Sequence, residues 1–194
     1  MWPRRARRES TEMIGMGAKT RLTPVDLLSV PGDDSVKYEL SEGELIAMGK
    51  AGLWHELVKS NILRRLFVYE DRHPETGRVF SELLFQLGPG TARMPDAAFA
   101  GAAKMAMLSH AHVMIPLVPD LAVEVISESE TAAGAGKKVP EYLAAGVREV
   151  WQFYSEEQRV RVHRSGRLYD VTGDQLLETP LLPGFSLRAS SFFG

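Results

Sequence analysis

The segment Leu121–Ile126, with the sequence LAVEVI, constrains the fold more than any other part of the chain. Its apolar residues are interrupted only by Glu124 and lack the polar alternation of a half-exposed strand. This pattern is typical of a β-strand that is buried on both faces. We therefore predict that this strand lies inside a sheet and is covered on both sides by other layers of the protein.

Helical and strand patterns surround this segment. Apolar residues recur at spacings of three and four over Gly52–Tyr69, which predicts an amphipathic helix whose buried stripe includes Trp54 and Leu57. Helices between strands, with hairpins at both ends, indicate an α/β chain with a mixed α+β sheet. The other predicted elements are a short helix at Pro24–Leu28 and strands at Val36–Leu40, Glu44–Met48, Val79–Leu87, Met94–Ala100, Glu149–Tyr154 and Arg159–Arg164.

Composition excludes several classes of function. The 194 residues include no cysteine, which excludes a disulfide framework, cysteine-ligated zinc and thiol catalysis. No apolar run approaches the roughly 18–20 residues of a membrane span, so we expect a cytoplasmic protein with no membrane partner. The formal net charge is −2 although residues 1–19 are rich in arginine. The remaining chain is therefore acidic, and any basic surface for nucleic acid must be local.

Residues 1–19 are interpreted separately from the rest of the chain. Their arginines are compatible with a DNA-binding arm, but a disordered leader or a later start at Met13 or Met16 is the favoured interpretation. They lack the apolar stretch of a secretory signal. We predict one domain over residues 20–194, preceded by this leader.

Four acidic residues are candidates for a cation site. Glu124 interrupts the apolar strand, and a buried carboxylate is costly unless it is paired, hydrogen-bonded or bound to a cation. Asp96 follows Pro95 at the start of another strand. A two-residue turn after Ser41 would place Glu39 and Glu44 on one face of a hairpin. A buried ion pair for Glu124 and a strand-entry role for Asp96 remain alternatives, but together the four carboxylates favour a hard cation such as Mg²⁺.

Two lysines and a histidine complete the candidate site. Lys137 and Lys138 lie about a dozen residues beyond Glu124, in a segment expected to pack near the end of that strand. A lysine there would stabilise negative charge on a phosphate, although a solvated lysine at a helix end is the simpler interpretation. His55, at the edge of the apolar stripe, is either a core histidine or a group of the site that accepts a proton.

The chain resembles the Uma-type family of restriction-endonuclease-like proteins, within the PD-(D/E)XK nuclease superfamily. Each motif alone is weak, but the ordered series over about 165 residues, from about Leu22 to the closing LPGFSL, is specific. The motifs are YELSEGEL from Tyr38, His55, Pro95-Asp96, PDLAVEVIS from Pro119, Lys138 with Tyr142, Gly146-Val147 and Glu149-Val150-Trp151.

This resemblance implies a restriction-endonuclease-like core that cleaves DNA with Mg²⁺, for which Mn²⁺ can substitute. Asp96 and Glu124 match metal ligands of the family, Glu39 is a further candidate ligand, and Glu39, Glu44 and His55 line the implied site. Ile126 stands where the superfamily has a lysine, and Lys138 matches the helical lysine that takes its role.

The segment around Lys138 departs from the family pattern. Gly134 falls near a position where the family usually has an aspartate. Ser127–Gly136 is predicted to be a loop, followed by a helix from about Val139 to Ala145. Because proline is tolerated only in the first turn of a helix, Pro140 predicts that Lys138 precedes or caps this helix.

Three functions remain in competition. The leading hypothesis is a Mg²⁺-dependent DNA endonuclease with Asp96, Glu124, Lys138, His55 and Glu44 as catalytic residues. The second is a catalytically degenerate module on the same scaffold that binds nucleic acid or another partner. The third is a metal-dependent hydrolase of small phosphoesters. A homodimer is expected for cleavage of both strands of a duplex, and the sequence identifies no other protein partner.

Overall fold

A computed structural model describes residues 21–30, 36–49, 51–109, 114–126 and 132–194, and the leader expected at residues 1–19 lies outside this described part. The helices are α1 (Pro24–Leu27), α2 (Leu53–Arg72), α3 (Ala102–Met105) and α4 (Ala132–Ala145), and a 3-10 helix spans Ala189–Phe192. The strands are β1 (Tyr38–Ser41), β2 (Glu44–Ala47), β3 (Gly77–Ser81), β4 (Phe85–Gly88), β5 (Thr91–Arg93), β6 (Ala97–Gly101), β7 (Leu121–Ile126), β8 (Glu149–Tyr154), β9 (Arg159–Arg164), β10 (Arg167–Thr172), β11 (Leu176–Glu178) and β12 (Ser186–Arg188).

The larger sheet has six strands in the order β10-β9-β8-β7-β6-β3. The predicted strand Leu121–Ile126 is confirmed as β7, which pairs antiparallel with β6 and parallel with β8. Val123 and Val125 belong to the core cluster that includes α2, whereas Ala122 belongs to the cluster beneath α4. The strand is thus covered on both faces, and the mixed α+β fold class is confirmed.

A second sheet, in the order β2-β1-β5-β4, carries the predicted hairpin. The register is confirmed, since Glu39 pairs with Ile46 and Ser41 with Glu44. The turn requires positive φ at both central residues, 49° at Glu42 and 81° at Gly43, as in the tight turns that match strand twist. α4 contacts both β4 and β8, so it lies between the two sheets.

The predicted strand Val79–Leu87 is wrong, because the structure has two strands there in different sheets. β3 ends at Ser81, and the chain turns at Glu82, which has a φ of 48°. The Glu82 carboxylate accepts hydrogen bonds from Lys37 and Lys59. The residues after this turn are again apolar, and Leu84 is buried. The hydrophobic pattern therefore does not show where the chain leaves one sheet and enters the other.

The buried stripe of α2 is narrower than predicted. Val58, Ile62 and Leu66 are buried, but Trp54 is 66% exposed and Leu57 is 44% exposed. In the first turns of α2 the side chain that faces the protein is His55, which contacts Asp96, while Trp54 and Leu57 face outwards. No helix among the described residues is long and apolar enough to cross a membrane.

α4 begins earlier than the sequence predicts. A loop is expected over Ser127–Gly136 and a helix from about Val139, whereas the helix begins at Ala132 and includes Gly134. Residues 127–131 lie outside the described part of the chain. Alanine has the highest helix propensity. The alanines of this segment therefore allow the helix to begin one to two turns before the part of it that packs against the protein.

Pro140 lies inside α4, and the expectation that Lys138 precedes or caps the helix is therefore wrong. Proline has no N–H to bond the carbonyl of Gly136, which weakens the helix at this point. Val139 and Tyr142 are buried in the cluster beneath α4, and this packing offsets the missing hydrogen bond. Lys138 consequently projects from the interior of the helix towards the larger sheet.

Candidate active site

Asp96 and Glu124 lie beside each other at the end of the larger sheet. β6 and β7 are antiparallel with Ala97 opposite Val123, so the next position along places Asp96 opposite Glu124. Asp96 Oδ2 accepts a hydrogen bond of 2.7 Å from the backbone N–H of Val125. This bond fixes the aspartate against the strand that carries the glutamate.

Glu124 is buried, with 3% of its surface exposed, and α4 supplies both of its side-chain partners. Lys138 Nζ lies 3.0 Å from Glu124 Oε2, and the Tyr142 hydroxyl donates to Oε1 at 2.6 Å. Burial raises the pKa of Glu124 to about 7, and the charge of Asp96 also raises it, while Lys138 opposes the shift. Burial thus favours the neutral form of the Glu124 carboxyl, and the adjacent Lys138 favours its charged form.

Glu39 and Arg93 form a buried ion pair next to Lys138. Arg93 Nη1 donates to Glu39 Oε2 at 2.7 Å, and Met94 N–H donates to Oε1 at 2.9 Å. Lys138 Nζ is 3.7 Å from Glu39 Oε2. Arg93 Nε also donates to Glu141 at 2.6 Å, so the guanidinium joins the small sheet to α4. Burial lowers the pKa of Arg93, but Glu141 and Glu39 outweigh burial and keep it above its ordinary value.

His55, in the first turn of α2, closes the other side of Asp96. Its Nε2 lies 3.4 Å from Asp96 Oδ2. Burial lowers the pKa of His55, but the hydrogen bond and charge of Asp96 outweigh burial and leave it above its ordinary value. The Nδ1 atom is buried without a hydrogen-bond partner among the described residues. His55 thus holds Asp96 from the face opposite α4.

Two further predicted residues lie outside this cluster. Glu44 shares a face with Glu39 by register, but its side chain is exposed at the start of β2. Lys137 is exposed, whereas Lys138 is buried. The structure therefore brings together Asp96, Glu124, Lys138, His55 and Glu39.

Arg93, Glu141 and Tyr142 hold this cluster together, and sequence reasoning assigned none of them a role in the site. Arg93 is 1% exposed in a three-residue strand that gives no periodic signal. Its two acidic partners are 54 residues before it and 48 residues after it. The pairing of β1 with β5 and the packing of α4 against this sheet bring these three charges together.

The donor set is compatible with Mg²⁺ in kind. Asp96, Glu124 and Glu39 offer oxygen ligands, and Mg²⁺ needs only one or two carboxylates because it keeps several waters. No group of three or more metal-binding side chains among the described residues is already arranged around one point. The carboxylates are instead balanced by Lys138 and Arg93, so a cation at Asp96 and Glu124 would have to share Glu124 with Lys138.

A second charged network adjoins His55 through α2. Lys59 is buried and donates to Glu56 at 2.7 Å and to Glu82 at 2.8 Å. Lys37 donates to Glu82 at 2.6 Å. Burial raises the pKa of Glu82, but the two lysines outweigh burial and lower it below its ordinary value. Glu82 thereby holds α2 against the turn between the two sheets.

We expect Glu82→Gln to lower the free energy of unfolding by about 1 kcal/mol near neutral pH, because two hydrogen bonds to a charged group are weakened at a partly exposed position. A carboxylate with a lowered pKa stabilises the fold above its unfolded pKa of 4.5 and loses that effect as the pH falls. The difference from wild type, measured by urea unfolding, should therefore shrink between about pH 6 and pH 3.5. A constant difference, or an equal effect of Glu157→Gln at an exposed site, would contradict this role.

Comparisons with known proteins provide a family and a fold. A family model described as "Uma2: Putative restriction endonuclease" matches residues 24–190. No curated protein sequence matches the chain. A crystal structure of "a putative nuclease belonging to DUF820" from Anabaena variabilis has a TM-score of 0.78 and covers 89% of this chain and 97% of that chain, at 19% sequence identity. At this identity the likeness establishes the fold alone.

Proposed function

Since the chain belongs to the Uma2 family of restriction-endonuclease-type proteins, we propose that it is a Mg²⁺-dependent endonuclease that hydrolyses phosphodiester bonds of DNA. The family and the fold neighbour both favour nuclease function in general. The observation that carries the finer proposal is the buried pair of Glu124 and Lys138 beside Asp96. A carboxylate pair with an adjacent lysine, at the end of a sheet, suits a phosphate ester.

Asp96 and Glu124 are the proposed metal ligands. Bound there, Mg²⁺ would supply positive charge to the phosphate oxygens and lower the pKa of water. His55 positions Asp96 through its Nε2, and Val125 N–H fixes the same carboxylate from the strand. Because Arg93 balances the charge of the fully buried Glu39 in a direct ion pair, we assign Glu39 to positioning rather than to the metal.

Lys138 is the proposed residue for charge stabilisation. Hydrolysis joins the oxygen of a water to phosphorus and releases a sugar hydroxyl, and negative charge develops on the phosphoryl oxygens during this step. An ammonium group held in place before the reaction stabilises such charge without reorganisation. Glu124 at 3.0 Å and Glu39 at 3.7 Å hold Lys138 Nζ. The exposed Glu44 receives no chemical role in this proposal.

The remaining parts of the proposal concern assembly. Residues 20–194 form the nuclease domain, and residues 1–19 precede it as a leader. Two copies of the chain act as a homodimer on the two strands of DNA, since one site cleaves one strand at a time. The site of action is the cytoplasm.

A second candidate is a nucleic-acid-binding module on the same scaffold that has lost catalysis. The observation in its favour is that the carboxylates of the site are already partnered within the protein. Glu124 is shared by Lys138 and Tyr142, and Glu39 by Arg93 and Met94. Such a module would bind DNA in the absence of a divalent ion and would not cut it.

Cleavage of supercoiled plasmid tests the proposal. We expect wild-type protein to nick plasmid with Mg²⁺ or Mn²⁺ and to stop when EDTA is added. Lys138→Ala should reduce the rate by about 10²–10³-fold, the range seen when a charge-stabilising group is removed. Lys137→Ala is the matched control, since this exposed lysine is the neighbour of Lys138 and should keep the wild-type rate within about twofold.

The possible outcomes separate the two candidates. Equal loss in the two lysine variants would remove Lys138 from the mechanism. Failure of folded wild-type protein to cut several DNA substrates with either ion would reject the nuclease, and retained DNA binding would then favour the catalytically inactive module. Thermal unfolding of each variant shows whether a lost rate reflects lost structure.

A further inference from the structure

A cavity of about 390 Å³ lies between the C-terminal half of α2 and residues 184–187, and we call it the arginine pocket. Its rim carries the side chains of Arg64, Arg65 and Arg72. Arg64, the lining residue nearest to His55 along the helix, is nine positions from it, which corresponds to about 14 Å at the rise of an α-helix. The pocket is therefore separate from the carboxylate cluster.

The charge of the arginine pocket is net positive, although the Glu75 carboxylate lies 3.8 Å from Nδ1 of His73. Its lining includes three arginines and His73 but no carboxylate, in a chain with more acidic than basic residues. Among the described residues, no acidic side chain pairs with Arg64 or Arg72, and both are exposed. Arg72 lies in the last turn of α2, where a cation offsets the helix dipole. Arg64 and Arg65 lie about two turns earlier, so the dipole does not account for them.

Backbone carbonyl oxygens hold Arg65 at this rim, and no acidic side chain in the described part of the chain pairs with it. Its guanidinium donates to the carbonyl oxygens of Asn61 and Ser191 and lies 5.1 Å from the ring centroid of Phe192. Burial lowers the pKa of Arg65, and the charge of Arg64 lowers it further. An anion placed between these two cations would relieve their repulsion, so the rim is suited to a phosphate group.

The floor of the arginine pocket is apolar and partly aromatic. Tyr69 stacks on His73 with a centroid separation of 4.6 Å and meets the edge of Phe185 at 6.0 Å. Val68, which is 43% exposed, and Leu187 complete the apolar surface. A flat, apolar ring system would lie against this floor, since the half-exposed His73 and Val68 present open surface.

We propose that the arginine pocket binds a nucleoside phosphate, with the phosphate on Arg64, Arg65 and Arg72 and the base on the apolar floor. The volume lies within the range of about 300–1,000 Å³ that is usual for small-ligand sites. The cationic rim and the apolar floor together favour a ligand with an anionic group at one end and a flat, apolar ring system at the other. A free mononucleotide and the 5′-phosphorylated end of a DNA strand share this chemistry. The site does not depend on the hydrolysis proposed above.

Calorimetric titration of the wild-type chain in EDTA tests the inference without cleavage. The probes are adenosine 5′-monophosphate, adenosine, inorganic phosphate, and a single-stranded DNA pentamer with and without a 5′-phosphate. We expect the monophosphate to bind at least about tenfold more tightly than adenosine or phosphate alone, because both halves of the pocket contribute. The double variant Arg64→Gln with Arg72→Gln should weaken this binding at least tenfold. The double variant Arg148→Gln with Arg167→Gln removes two exposed arginines elsewhere and should not.

The outcomes also distinguish the source of the ligand. Binding of the monophosphate alone supports a free nucleotide, whereas binding of the phosphorylated pentamer, displaced by the monophosphate, supports a strand end. Equal binding of inorganic phosphate and monophosphate overturns the inference in favour of a plain anion site. Absence of binding by every probe, or equal weakening in the two double variants, also overturns it. Because no metal is present, loss of nuclease activity has no bearing on these results.

Discussion

Asp96→Asn is expected to reduce Mg²⁺-dependent plasmid cleavage on the order of 10³-fold, because it removes a negatively charged oxygen from the pair that would hold the metal. The substitution keeps the size of the side chain. It also keeps an oxygen that can accept the hydrogen bond from the N–H of Val125, which is 2.7 Å long in the wild type. The fold should therefore survive. The measurement is the initial rate of nicking at saturating Mg²⁺, together with the free energy of unfolding of both proteins.

Asp120→Asn provides a matched control from the same strand pair. Asp120 precedes β7 as Asp96 precedes β6, and its Oδ2 accepts the backbone N–H of Gly101 at 2.8 Å. It is also largely buried and contacts Lys104 at 2.9 Å. The two aspartates therefore make the same structural bond at opposite ends of the pair, and only Asp96 lies beside Glu124. We expect Asp120→Asn to keep the cleavage rate within about threefold of wild type.

This comparison separates chemistry from strand capping. Similar losses of rate in both variants, in step with similar losses of stability, would show that Asp96 acts as a structural cap and not as a ligand. An undiminished rate in Asp96→Asn would remove the aspartate from the mechanism altogether. A contaminating nuclease would give the same rate in every preparation and is recognised by that signature.

Local patterns predicted the parts of the fold that depend on neighbours in sequence. β7 and the β8–β9 hairpin have the bounds that hydrophobic pattern and turn residues indicate, and the register of β1 with β2 follows from the two-residue turn. Asp96, Glu124 and Lys138 converge as the resemblance implied. The strand bounds and the hairpin register need no knowledge of which layers meet, whereas the convergence of the three site residues rested on the resemblance.

Features that depend on tertiary packing were not predictable in this way. Apolar residues lie on both sides of Glu82, yet the chain changes sheet there, and the Glu82 carboxylate bonds Lys37 and Lys59. Trp54 fits the helical stripe but is 66% exposed. Pro140 is tolerated in α4 because the helix packs against β7 and β8. Each departure comes from contacts with distant segments, which a local pattern does not contain.

Arg93→Met is expected to lower the free energy of unfolding by about 3–5 kcal/mol, the range for removing one member of a buried ion pair. Arg93 is 1% exposed and its charge is shared by Glu39, fully buried, and Glu141 on α4. Methionine fills similar space but leaves both carboxylates without this cation. Urea unfolding at neutral pH measures the loss, and Arg161→Met, which breaks a more exposed pair with Asp170, should cost about 1 kcal/mol at most.

A double-mutant cycle then assigns the loss to its cause. If the cost of Arg93→Met comes from the charge stranded on Glu39, adding Glu39→Gln should recover a part of it, with a coupling energy of about 2 kcal/mol. If the cost comes instead from altered packing, Glu39→Gln should add its own loss and the coupling should be near zero. Glu39 also contacts Lys138, so the recovered double variant should regain its fold and still cut DNA more slowly than wild type. The Arg93 guanidinium joins β1 to the helix that carries Lys138, so its loss should affect both the fold and the reaction. A stable, fully active Arg93→Met protein would therefore show that the buried network is dispensable for both.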